Sequence, residues 1–453
     1  MRTLKLKLSM EKNNQVDIMN ENEGLKREIG LWGLVSNSIN IIIGAGIFIL
    51  PVIVAEKLGS RSIWAYLICG FLMIFIMLCF AEIGTMITRT GGAYSYIETA
   101  FGKYVGFLTT NIFIFGAAIM ANAAVANGLV DTLAYFIPLF KLEWVRIAFF
   151  AIMFGGLALF NVRGVRKAIM IVKFNTIAKL VPLIMIALLG WFFIVPSADL
   201  VTVGNYSKDL GEISLILLFA FVGAETAMNV SGEIKNPEKT IPMGIMLSMF
   251  IVVVLYILIQ ITVQGILGSS ITDFRDAPLA EVGRRMLGTI GASIVLIGAS
   301  FSMFGNISGM VLNMPRILFA AARDKVLQPQ ALANVHPVFK TPHISIIVYA
   351  ALGFIFASMG EFKQLAMLSS ASYLLIYLGV VLAMIRFRIK KTGEKAIYKV
   401  PGGYIIPVIC ILTIIWVLSN LPLKELGAMG LFIVILSAIY LLVKIISKKE
   451  ITL

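Results

Sequence analysis

The sequence predicts an all-α polytopic membrane protein, a bundle of about twelve transmembrane helices joined by short connections. Three observations carry that prediction. Of the 453 residues, 59% are hydrophobic and only 14% charged, where soluble domains carry about 25% charged residues. Apolar runs long enough to cross a bilayer recur along the whole chain. Two of them, the first and the sixth, are interrupted near their midpoints by glycine and other small residues.

The first span, about 31–56, follows a polar N-terminal tail (1–28) that shows no cleavable signal and is expected to stay in the cytoplasm. At its centre lies Ile43-Gly44-Ala45-Gly46-Ile47-Phe48, with Pro51 beyond. Glycine is the residue least restrained in a helix interior, and backbone groups freed inside a bilayer must find partners or line a wet cavity. The start of a half-helix at mid-membrane depth would present N–H groups to an anionic group. The competing reading is close packing of two helices through small residues.

The remaining spans are expected at about 62–88, 104–137, 145–162, 167–195, 213–232, 242–267, 288–320, 343–360, 366–387, 403–420 and 427–446. Glu82 ends the second span before Thr90-Gly91-Gly92-Ala93-Tyr94-Ser95-Tyr96, whose glycine pair predicts a turn at the cytoplasmic face. Asn122 and Asn127 among the alanines of the third span suit either a polar cavity wall or bonding between helices. Asn161-Val162-Arg163-Gly164 turns the chain after the fourth. The external connection 268–287 contains Pro278, which opens a polar stretch expected to form an interfacial helix. Pro401-Gly402-Gly403 precedes the eleventh span.

A net charge of +14 invites a nucleic-acid reading, but its distribution does not. With the N-terminus inside, most Lys and Arg fall in cytoplasmic segments, the positive-inside pattern, which sets both termini in the cytoplasm. Arg386, Arg388, Lys390, Lys391, Lys444, Lys448 and Lys449 read as topology anchors and headgroup contacts. Cys69, Cys79 and Cys410 lie in apolar runs and make no redox or zinc pattern. His336 and His343 are too few for a metal site, and no cofactor pattern is present.

The sixth span repeats the motif of the first: Leu218-Phe219-Ala220-Phe221-Val222-Gly223-Ala224-Glu225-Thr226 breaks an apolar helix and then supplies an acid. The two breaks occupy equivalent places in two five-span halves, 29–195 and 196–388, followed by two further spans within 389–446 and a short tail, 447–453. An odd number of spans per half forces opposite topology, and paired broken helices in such halves point to a transporter's midplane site. Two charges fall inside the predicted membrane. Lys179 lies too deep in the fifth span for its head to escape easily to the interface, though snorkelling is the alternative. Glu225 is a functional candidate on the same ground, but it could instead bond to a neighbouring helix or carry a proton.

With these residues in view, the chain resembles the amino acid permeases of the amino acid–polyamine–organocation superfamily. The resemblance runs through all the spans and rests on Gly44-Ala45-Gly46-Ile47-Phe48, Ala81-Glu82-Ile83-Gly84, Gly91-Gly92-Ala93-Tyr94, Phe219-Ala220-Phe221-Val222-Gly223 with Lys235-Asn236-Pro237, and the run Pro315 to Asp324. It implies a five-plus-five inverted repeat with helices 1 and 6 unwound around the substrate. The α-carboxylate would be held by the amides of Gly44, Ala45 and Gly46, and the α-ammonium by carbonyls of Ile42, Phe219, Ala220 and Val222. Phe219 would close over the substrate, with Met310 and residues near Asn122 touching its side chain. Lys179 matches a lysine whose ammonium stands where sodium-coupled relatives hold sodium, which implies sodium-independent transport. Glu225 matches an acid of the arginine and diamine antiporters, a branch that does not typically share that lysine.

The function expected is therefore alternating-access transport of an amino acid in the plasma membrane, as proton-coupled symport or exchange, with neutral L-amino acids favoured by Phe219 and Met310. A cationic amino acid or polyamine antiporter is the alternative, with Glu225 reading the second positive charge. The expected partners are the amino acid, the lipid bilayer and protons, with no nucleic acid, in a monomer or weak dimer. An enzyme is disfavoured because no intramembrane His exists and Glu225 with Lys179 alone makes no nucleophile–base set. A channel would want repeated polar rings.

Overall fold

The computed structural model describes residues 27–88, 90–195, 206–274, 277–359, 362–390, 398–421 and 423–450. Among them, regular structure is helical, apart from one parallel bridge pairing Ile29 with Ile234. The predicted tail up to residue 26, Lys391, and the side chains of Lys444, Lys448 and Lys449 lie outside the described residues.

The first span is two helices, α1 (Leu31–Ile42) and α2 (Gly46–Leu58). Helix α1 stops because Ile43 turns to φ −78°, ψ 90°, leaving Ile43, Gly44 and Ala45 between the two. Helix α3 (Ser62–Met86) follows, then a turn in which Gly91 and Gly92 take φ of 122° and 50°. A Cβ on Gly92 would lie 2.4 Å from Asn229 Oδ1, so the glycine pair is required both by conformation and by close approach. The short α4 (Ala93–Phe101) leads into α5 (Lys103–Asn111), which continues through a π-helical turn, Ile112–Ala118, into α6 (Ile119–Phe136). Helices α7 (Glu143–Val162) and α8 (Val165–Leu189) come next.

The second break is as predicted in place but different in form. Helix α9 (Tyr206–Phe221) ends at Val222-Gly223, and the chain resumes as a ten-residue 3-10 segment, Ala224–Glu233. Helix α10 (Pro237–Leu267) opens with a proline at its first position, where the missing N–H costs nothing. The polar stretch after Pro278 is the start of α11 (Pro278–Asn313), set off by a kink at Leu287 and Gly288. Helices α12 (Pro315–Arg323), α13 (His343–Met359), α14 (Phe362–Lys390), α15 (Ile405–Ser419) and α16 (Leu423–Glu450) complete the bundle. Seven described helical stretches are long and apolar enough to cross a bilayer, and four shorter apolar helices accompany them.

The bundle is apolar outside as well as in. Trp32, Ile152, Phe192 and Met359 are each more than 60% exposed, an outer surface that suits lipid rather than water. The interior, by contrast, buries Asn37, Asn40, Lys179, Glu225, Glu233 and Arg316.

Polar contacts tie one end of the bundle together. Arg316 Nε meets Glu233 Oε1 at 2.9 Å, with both side chains sealed from solvent. The Glu233 carbonyl accepts the Glu28 and Ile29 amides at 2.9 Å, and Lys235 N donates to Ile29 O at 2.8 Å. The chain just before α1 is thus stitched to the end of the 3-10 segment. Arg388, expected to meet headgroups, grips Glu82 instead: Nε and Nη2 donate to its carboxylate at 2.7 and 2.5 Å, and Val400 N adds a third bond at 2.6 Å. A buried carboxylate needs partners, and the guanidinium fork is the side chain that supplies two at once.

Candidate functional site

Both breaks open on one cavity of about 40 Å³, room for about three waters. Ile41, Ile42, Gly44, Ala45 and Gly46 form one wall, and Ala220, Val222 and Gly223 face them. Helix α6 contributes Ala121 and Val125, α11 contributes Asn306 and Met310, and α14 contributes Tyr373. Of the predicted site residues, Ile42, Gly44, Ala45, Gly46, Ala220, Val222 and Met310 therefore come together. Phe219 is helical in α9, but its side chain lies outside the described residues.

The first break presents donors and acceptors on opposite ends. No side chain caps the start of α2. The Gly44 amide is turned back on the Ile42 carbonyl at 3.0 Å, and Phe48 N donates to Ala45 O at 3.1 Å. Among the described residues the amides of Ala45 and Gly46 have no acceptor, at the positive end of a helix dipole. Of the three predicted anion-binding amides, Gly44 is thus the one already engaged. A Cβ at Gly46 would stand 3.4 Å from Ala220 Cβ and from Leu50 Cδ1, so a methyl fits there and a larger group would enter the cavity.

The carbonyls that α1 leaves behind are met one by one. Lys179 Nζ donates to Asn40 O at 2.7 Å, Ile43 O at 2.5 Å and Ser302 O at 3.3 Å, which uses all three of its protons. It has no carboxylate partner in this set; the negative end of α1 takes that role. Ser302 Oγ reaches Ile43 O and Gly44 O, each at 3.0 Å, and Asn306 Nδ2 donates to Ile41 O at 2.5 Å. Asn40 Nδ2 in turn bonds the Gly305 carbonyl. Tyr256 OH lies 3.0 Å from Ala220 O and 3.3 Å from Ile42 O, so one hydroxyl of α10 spans both broken helices. Each carbonyl has two lone pairs; Ile42 O already meets the Gly44 amide and the Tyr256 hydroxyl, whereas Ala220 O meets the Tyr256 hydroxyl and keeps the greater capacity for an ammonium.

Glu225 sits beneath the second break rather than on the cavity wall. Its Oε2 accepts the Gly223 amide at 3.0 Å and the Tyr377 hydroxyl at 2.8 Å, and Oε1 is buried without a hydrogen-bond partner among the described residues. Gly223 takes φ 124°, and a Cβ there would lie 2.6 Å from Ile41 Cγ2. The second break is therefore shaped by a glycine that the first break packs against.

Other predicted groups play different parts. Asn122 bonds Tyr349 OH at 3.0 Å and Asn127 bonds Ala357 O at 3.1 Å, so both link helices rather than line the cavity. His336 and His343 meet edge to face with ring centroids 5.2 Å apart, and neither lines the cavity. Sequence reasoning missed Tyr256, Ser302, Asn306 and Tyr373. Their only signal is a polar group within an apolar run, and many such groups in this chain do nothing but join helices.

The chain matches known proteins over most of its length. A family model described as amino acid permease matches residues 29–445. The serine/threonine exchanger SteT of Bacillus subtilis is 31% identical over 426 residues, covering 92% of this chain and 95% of that one. The human cystine/glutamate transporter is 30% identical, covering 83% and 77%. The branched-chain amino acid permease BcaP of Bacillus subtilis is 24% identical, covering 88% and 89%. These matches, spanning both breaks and the helices around them, establish that the chain belongs to the amino acid permeases of the amino acid–polyamine–organocation superfamily.

Proposed function

We propose that the chain is a sodium-independent transporter of small neutral L-amino acids that works by alternating access, most naturally as an exchanger. The observation that carries this reading is the convergence of two broken helices on one cavity, with uncapped amides on one side and backbone carbonyls on the other. A zwitterion fits both sets at once. Lys179 supports sodium independence, because a fixed ammonium already occupies the carbonyls of α1 that a mobile cation would need. Exchange is favoured by one of the relatives, which is named a serine/threonine exchanger. The small cavity and its alanine, valine and methionine lining favour small neutral side chains. Glu225 is the natural group to carry a coupling proton, since one of its oxygens is buried without a partner among the described residues. In this reading twelve spans form an inverted repeat with both termini in the cytoplasm, and the stitched end of the bundle is the closed cytoplasmic gate.

The cationic or polyamine alternative draws on Glu225 alone, and Glu225 does not line the cavity. The test is uptake of radiolabelled amino acids into proteoliposomes in sodium-free buffer, with unlabelled competitors. The expected result is uptake competed by serine, threonine and alanine and not by arginine or putrescine, retained in Gly46→Ala and abolished in Gly46→Leu. A strict requirement for sodium, or competition by arginine alone, would refute it.

A further inference from the structure

We infer that Asn306 is the residue that reads the substrate's side chain and that it favours amino acids bearing a hydroxyl; this rests on the transport reading above. The cavity has few polar side chains: facing Ala121, Val125 and Met310, only Asn306 and Tyr373 among the described residues bring them to its wall. Asn306 is half-buried while Gly305 and Ile307 on either side of it are buried, so it is the point at which this stretch of α11 opens to the cavity.

The orientation of its amide follows from its neighbours. Nδ2 donates to the Ile41 carbonyl at 2.5 Å, and it lies 3.0 Å from where a Gly44 Cβ would stand. Turned over, the amide would set Oδ1 against another acceptor, so the hydrogen-bond partner fixes which end faces the break. With one Nδ2 proton held there, Oδ1 is left to accept and the second N–H to donate. An amide beside the zwitterion's cradle suits a hydroxyl on the β-carbon, which can both donate and accept, and gives nothing to an alkyl group. A polar group built into a binding site rejects the analogue that lacks its partner, because the site's own group is then left unpaired.

The test compares pairs that differ by the hydroxyl, threonine with its isostere valine and serine with the smaller alanine, in counterflow by proteoliposomes of the full chain. Wild type is expected to take each hydroxyl member with a KM about tenfold below its partner. In Asn306→Ala the ratio within each pair should fall to about one, whatever shift the four KM values share from loss of the bond to Ile41 O. If Asn306 merely props the Ile41 carbonyl, all four KM values rise together and the ratio survives, which overturns the inference. Should the variant fail to fold, wild type decides alone: equal KM values within both pairs overturn the inference while leaving amino acid transport standing. No uptake of any amino acid would overturn the transport reading itself.

Discussion

Replacing Lys179 with alanine probes how much of the site depends on one buried cation. The ammonium serves three carbonyls, with short bonds to Asn40 O and Ile43 O and a longer one to Ser302 O. A hydrogen bond to a charged group contributes about 1.5–3 kcal/mol, so the two short bonds together account for about 3–6 kcal/mol. Keeping an ammonium out of water offsets part of that, while alanine adds the cost of leaving the carbonyls of the first break buried and unpaired, so the net loss is about 3 kcal/mol. At about 1.4 kcal/mol per decade, sodium-free serine counterflow in proteoliposomes should fall about 100-fold. Lys179→Met, which fills similar space without donors, should fall as far. Counterflow at the wild-type rate in either variant would refute the argument, since it would mean that the carbonyls of α1 need no cation to hold the break in shape.

Three further outcomes follow from the same geometry. Gly223→Ala should lower the melting temperature of the purified protein and abolish counterflow, because a left-handed conformation costs a non-glycine residue about 1–2 kcal/mol and the new Cβ would also strike Ile41. Arg316→Ala should destabilise by about 3–5 kcal/mol by leaving Glu233 buried and alone, whereas Arg316→Met with Glu233→Leu should recover most of the melting temperature. Glu225→Gln retains a carbonyl oxygen for the Gly223 amide, so it should preserve serine binding while flattening the dependence of uptake on an imposed pH gradient.

Much of the site was legible in the sequence, and for one reason. Glycine, charge and proline inside a membrane run are costly, so each flags a place where the ordinary helix fails. Gly44-Ala45-Gly46, Val222-Gly223 and Lys179 all announced themselves that way and all meet near one cavity. What stayed hidden depended on rotation about a helix axis. Asn122 and Asn306 both read as an asparagine in an apolar span; one joins α6 to Tyr349 and the other faces the cavity, and no local feature separates them. Arg388 read as a lipid anchor because basic residues gather at that end, yet Glu82, far away in the chain, claims it. The 3-10 form of Ala224–Glu233 was equally beyond reach, since it follows from packing around Gly223 rather than from propensity.

The central claim is that backbone groups of two broken helices hold both charges of an amino acid. Competition of sodium-free serine counterflow by serine methyl ester and by N-acetylserine tests it most directly, since each analogue keeps the side chain and removes one charge. The account predicts that neither analogue competes at concentrations where unlabelled serine competes fully. If both compete as well as serine does, the uncapped amides of α2 and the carbonyls of α1 and α9 are not what holds the substrate.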